Sequence, residues 1–139
     1  MPITPEIRSK IEIRDQKRCQ YCQTTEDNCG LRMHIDHIIP ESAGGGSSMD
    51  NLCLACFSCN VYKSAKQIWN DPETQEAVKL FHPICQNWND HFGWNENKTR
   101  IIGYTPCGRA TIDALKMNNS TVIKARRRWV SAGWHPPGV

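Results

Sequence analysis

At 139 residues with 39% apolar residues, the chain is long enough for one compact domain and too short for two full hydrophobic cores. No stretch approaches the roughly 18 to 20 apolar residues of a membrane-spanning helix, and the opening MPITPEIRSK lacks an export signal's apolar run, so a soluble, cytoplasmic protein with no membrane partner is expected. The net charge of +3 is uneven: residues 99–139 carry seven Lys and Arg against one acidic residue, whereas residues 1–98 carry ten against thirteen, which suits a polyanionic partner.

Thr4, Pro5 and Glu6 read as an N-cap, a first-turn proline and an acid suited to the helix dipole, and Ile7 with Ile11 makes an i,i+4 apolar pair. These predict a helix over residues 5–16. Residues 19–22 form a tight turn, residues 32–39 alternate like a short strand, and Pro40 ends it. Residues 41–49, with three consecutive glycines beside serines, predict a mobile loop; residues 51–55 predict a second strand and residues 56–69 a helix. Asp71-Pro72 is a stop. Beyond it come an expected strand over 76–81, a hairpin over 91–105 turning at 95–97, and helices over 109–117 and 121–132, the second capped by Ser120. The expected fold class is α+β: a core unit over 1–69 with an N-terminal helix, and an α+β extension over 70–139 packed on it and basic toward its end.

Eight cysteines in a chain without an export signal point to metal ligands or buried thiols instead of disulfides. Cys19-x-x-Cys22 and Cys56-x-x-Cys59 supply four soft thiolates for tetrahedral zinc. The second pair falls at a predicted helix start, where the dipole favours thiolate. A unit of about 50 residues buries too little surface to be stable alone, and a structural zinc contributes on the order of 10 kcal/mol to folding. Cys53 reads as a core thiol, and Cys29, Cys85 and Cys107 lack paired spacing, so one zinc per chain is predicted.

Between the knuckles lie Met33-His34-Ile35-Asp36-His37-Ile38-Ile39-Pro40, the glycine loop and Asp50-Asn51-Leu52, and after the last cysteine come Asn60-Val61-Tyr62-Lys63. Over residues 18–66 this order closely resembles the HNH endonuclease signature: CxxC, a DH pair with a downstream Pro, a Gly-rich loop, Asn-Leu, and a closing CxxCN with a Lys three residues on. The resemblance implies a ββα-metal, treble-clef-like core around a structural zinc, and a DNA endonuclease leaving 5′-phosphate and 3′-hydroxyl ends, most readily on double-stranded DNA. It also implies that Asp36 and Asn60 ligate one catalytic magnesium or manganese ion, that His37 is the general base, and that Asn51 braces the loop and orients His37. The chemistry agrees, because a divalent ion on hard oxygen ligands relieves phosphate charge and an imidazole near neutrality takes a proton from water. Adjacent strand residues face opposite ways, so His37 is expected where the strand ends. His34 shares the Asp36 face, and three readings stand for it: a third ligand, an electrostatic neighbour or a partly exposed strand histidine outside the catalytic set.

Lys63 and Lys66, three and six positions after Asn60, are expected phosphate contacts along one helix face. Arg126, Arg127 and Arg128 fan out around a helix; Arg127 and Arg128 are taken as backbone-phosphate contacts. Trp88, Trp94, Trp129 and Trp134 are read as core residues. Two further readings stand beside a DNA endonuclease: a non-catalytic zinc module that binds nucleic acid, and an RNA-directed nuclease.

Overall fold

A computed structural model describes residues 2–138. Helix α1 (Pro5–Asp15) begins with Thr4 Oγ1 accepting the Ile7 N–H and ends at Gln16, whose φ of 57° turns the chain left-handed. Its last residues anchor it. Arg14 forks onto the Asp15 carboxylate at 2.7 and 3.1 Å and reaches the Leu52 carbonyl, while Asp15 accepts the Leu54 N–H at 2.9 Å. This buried connection was not visible in the sequence, because two adjacent charges at a helix end ordinarily face water.

After a short helix α2 (Glu26–Cys29), strand β1 (His34–His37) pairs antiparallel with β2 (Leu52–Ala55), placing His37 opposite Leu52. β1 is shorter than the alternation predicted: the Met33 N–H is taken by Glu26, and the Ile39 N–H by the Asn51 side chain. A 3₁₀ turn (Glu41–Ala43) begins the connecting loop, and all four β2 residues are buried.

The helix expected over 56–69 is two elements. α3 (Phe57–Lys63) stops at Ser64, φ 48°, and the chain re-enters as β3 (Ile68–Asn70), paired with β4 (Ala77–Lys79) around a turn at Asp71. Pairing with partners seven to eleven residues away overrides the weak helical preference of residues 68–69. Asp71 ties off this turn by accepting the Glu73 N–H, the Thr74 hydroxyl and both arms of Arg109, whose guanidinium holds its carboxyl well below the usual carboxylate range.

Helix α4 (Trp88–His91) leads into the hairpin of β5 (Phe92–Trp94) and β6 (Ile101–Gly103). Helices α5 (Pro106–Ala114) and α6 (Ser120–Ser131) follow, capped by Thr105 and by Asn119, one residue earlier than Ser120. The fold is thus mixed α and β, with three two-stranded antiparallel sheets among the described residues. One apolar cluster runs through it, joining Ile11, Tyr21, Leu52 and Leu54 to Phe81, Phe92, Ile101 and Leu115. Trp88 donates to the Tyr21 carbonyl at 2.7 Å and stacks on Phe92, and Trp94 packs against the same cluster. Trp134 departs from the core expectation, at 64% exposure.

Candidate functional site

The two CxxC turns converge. Cys19, Cys22, Cys56 and Cys59 are all buried, and their sulfurs lie within 4.8 Å of one another, with Cys22 and Cys56 at 3.7 Å. Sulfurs at about 2.3 Å from a tetrahedral zinc would stand roughly 3.8 Å apart, so the donor set fits that ion. Each turn repeats one device: the Cys22 N–H points at the Cys19 sulfur and the Cys59 N–H at the Cys56 sulfur, both at 3.4 Å. Amides aimed at sulfur favour thiolate, while burial and the neighbouring Cys22 and Cys56 sulfurs push the Cys19 thiol up. Cys53 is a buried core thiol, and Cys29, Cys85 and Cys107 stand outside the cluster.

Arg126 supplies a buried cation here. It lines the same small cavity as Cys22, Cys56 and Cys59, donates to the Thr99 and Met117 carbonyls and to Asn118, and lies over the Trp94 ring. The triple-arginine run hid this, because helical spacing says only that the three point differently, not which one turns inward. Arg127 and Arg128 are exposed.

The loop after β1 is held by Asn51, whose amide uses three hydrogen bonds: Oδ1 accepts the Ile39 N–H at 2.8 Å, and Nδ2 donates to the carbonyls of Ile39 at 3.0 Å and Gly46 at 2.8 Å. Gly45 packs so tightly that a Cβ there would sit 1.8 Å from the Ile39 oxygen. His37, the last residue of β1 and half-buried, has Nε2 3.0 Å from the Ser47 hydroxyl of this loop. Glu41 stands 3.9 Å from the same nitrogen.

Asp36 faces inward. Its carboxylate accepts the Tyr21 hydroxyl at 2.7 Å and pairs with the Lys63 ammonium at 3.2 Å, with side chains only 5% and 2% exposed. Burial pushes the Asp36 carboxyl up, against the downward pull of Lys63 and Tyr21. Lys63 also donates to the His37 and Ile38 carbonyls at 3.1 and 3.0 Å. Lys63, expected as a phosphate contact, is 1% exposed, and its ammonium is turned inward onto three internal acceptors, the Asp36 carboxylate and the His37 and Ile38 carbonyls. Tyr21 is an Asp36 partner that sequence reasoning passed over, since nothing in Cys-Gln-Tyr-Cys marks it.

Asn60 is half-buried on α3, and its side-chain amide has no hydrogen-bond partner among the described residues. Lys66 lies beyond the end of α3, so it does not extend that helix face; its ammonium donates to the Tyr62 carbonyl and sits over the Trp69 ring at 5.6 Å. His34 is exposed and packs against Phe57.

A two-stranded hairpin, a following short helix and four gathered thiols stand together in this part of the chain, with a histidine held where the hairpin enters its connecting loop. The family model described as HNH endonuclease matches residues 19–66, from the first cysteine of the cluster to Lys66. This segment, about a third of the chain, bears the HNH signature and contains the four-cysteine cluster. No curated protein and no solved structure matches the chain. No helix among the described residues is long and apolar enough to cross a membrane.

Proposed function

We propose that this protein is a metal-dependent endonuclease hydrolysing phosphodiester bonds of DNA, built on a ββα-metal core formed by β1, β2 and α3 over residues 1–69, with residues 70–139 as an extension packed on it. The observation that carries the reading is the bracing of His37: a histidine at a strand end, bonded to a loop that Asn51 ties down with three side-chain hydrogen bonds. A structural asparagine spent on one loop fixes an imidazole in place, as a general base requires.

In the tautomer protonated at Nδ1, the His37 Nε2 accepts from Ser47. A water replacing that hydroxyl meets an unprotonated nitrogen, to which it loses its proton as it attacks phosphorus. Asp36 and Asn60 would hold a magnesium or manganese ion through hard oxygen donors. The donor chemistry supports this reading: a carboxylate has about four acceptor directions, of which Tyr21 and Lys63 occupy some, and an amide oxygen is a second hard donor. When bound, such an ion relieves charge on the phosphate and leaving oxygen. Lys63, locked onto Asp36, orients that carboxylate. Lys66, Arg127 and Arg128 are the outward cations proposed to meet the phosphate backbone.

The second reading, a non-catalytic nucleic-acid-binding module, draws on the same Asp36–Lys63 pair, because an ammonium competes with a metal ion for the carboxylate. Plasmid nicking separates the two. With magnesium or manganese, supercoiled DNA should be nicked, EDTA should stop it, and His37→Ala should abolish it with zinc content kept at one per chain. Wild-type protein that binds DNA yet cuts neither DNA nor RNA under any of these conditions overturns the endonuclease in favour of the binding module.

A further inference from the structure

A cavity of about 660 Å³ opens directly beside the candidate site, where Ile38 and Ile39 leave β1, between the end of α3, the β3–β4 hairpin and residues 80–86. The size falls within the range of roughly 300–1,000 Å³ typical of small-molecule sites. Apolar side chains such as Ile39, Val78 and Phe81 make up much of its wall, and every charged residue lining it is a lysine; no Asp or Glu contributes. Lys79 pairs with no carboxylate among the described residues.

His82 adds a directed donor. Its Nδ1 accepts the N–H groups of Ile84 and Cys85, both at 3.2 Å, so the ring proton resides on Nε2. Burial lowers the pKa of this imidazole, which keeps it neutral near pH 7. Nε2–H has no protein partner among the described residues, and the residue lines the cavity.

An apolar wall large enough for a heterocycle, rimmed by cations and a neutral N–H donor, matches one nucleotide unit better than it matches a duplex. In a duplex the bases stay stacked and paired, and only the charged backbone is offered to a protein surface. An apolar wall of this size is covered most fully by a base that has left its stack. We infer that this cavity takes one unpaired nucleotide of the nucleic acid next to the scissile bond, its base against Ile39 and Val78 and its phosphate between Lys66, Lys79 and the His82 N–H. The inference rests on the endonuclease reading for the identity of the ligand, and it selects single-stranded, looped or branched substrate over continuous duplex.

The test reads binding without cleavage, so that it fails or succeeds independently of catalysis. Zinc-loaded His37→Ala protein, without magnesium or manganese, is titrated against a fluorescent single strand of about 12 nucleotides and against a blunt hairpin duplex of the same composition. The single strand should bind at least about tenfold tighter at matched salt. Lys79→Glu, on the exposed rim, should weaken single-strand binding by about tenfold and duplex binding by less than about twofold. Ile68→Trp, at an exposed wall position, should give the same selective loss with no change of charge. Equal affinity for the two forms, or variants that weaken both alike, overturns the inference. A wild-type protein that shows the binding preference and cuts nothing overturns the endonuclease reading while leaving the cavity's ligand in place.

Discussion

Replacing Lys63 with Met tests the central feature of the site, the buried pairing of one cation with one carboxylate. Met preserves most of the side-chain length and removes only the charge. Asp36, 5% exposed, would be left with Tyr21 alone, and the carbonyls of His37 and Ile38 would each lose a donor. Removing one member of a buried ion pair costs about 3–5 kcal/mol, since the remaining charge must be desolvated unpaired or neutralised by taking up a proton. Against a total stability of roughly 5–15 kcal/mol, that loss lowers Tm by about 10–15 °C. The measurement is urea and thermal unfolding at neutral pH, followed by tryptophan fluorescence with zinc held in constant excess, because metal binding itself shifts the equilibrium. Asp36→Asn in the Lys63→Met background removes the stranded charge and still accepts from Tyr21, so the double variant should recover about half of the loss. A Lys63→Met cost below about 1 kcal/mol, or a double variant as unstable as the sum of its parts, would refute the account of the pair as a coupled, desolvated unit.

Cys56→Ser should abolish stoichiometric zinc binding and, with it, the cooperative unfolding transition, since structural zinc contributes on the order of 10 kcal/mol; elemental analysis with circular dichroism decides, and a well-folded, zinc-free variant would contradict the assignment. Gly45→Ala forces a carbon against the Ile39 carbonyl that also accepts from Asn51, so the loop must shift, at about 1–3 kcal/mol. Amide exchange over residues 39–47 should accelerate and nicking should fall; unchanged protection would show that the loop has slack. For the Asp71–Arg109 pair, the folded carboxyl titrates below its unfolded value, so its stabilising effect is full above about pH 4 and is lost as pH falls toward the depressed folded value. Arg109→Met should therefore flatten the decline in stability below about pH 4, and parallel acid-unfolding curves for the variant and wild type would exclude this linkage.

Much of the site was legible in one dimension because its grammar is local. A CxxC pair fixes two sulfurs within a single turn, and Asn51, His37 and Gly45 act on each other across a connection of fourteen residues or fewer. Caps such as Thr4 lie within three residues of what they bond. Spacing alone therefore identified the four zinc-type ligands and the hairpin-and-helix order, with element ends displaced wherever a long-range partner claimed a backbone N–H, as Asn51 does at Ile39. What the chain order left open was which way a side chain turns at a position whose periodicity permits several. Lys63 reads as a surface lysine, yet it is drawn inward by Asp36 twenty-seven residues earlier. Arg126 is indistinguishable from its two neighbours until Thr99, Met117 and the cysteine cluster assemble around it. Residues 68 and 69 prefer no structure strongly, and β4 decides for them. Local rules set the ligand pattern because its geometry is written within one or two turns of chain; burial of charge and strand pairing depend on partners that only tertiary structure brings near, and their energies of several kcal/mol outweigh the tenths that local propensity contributes.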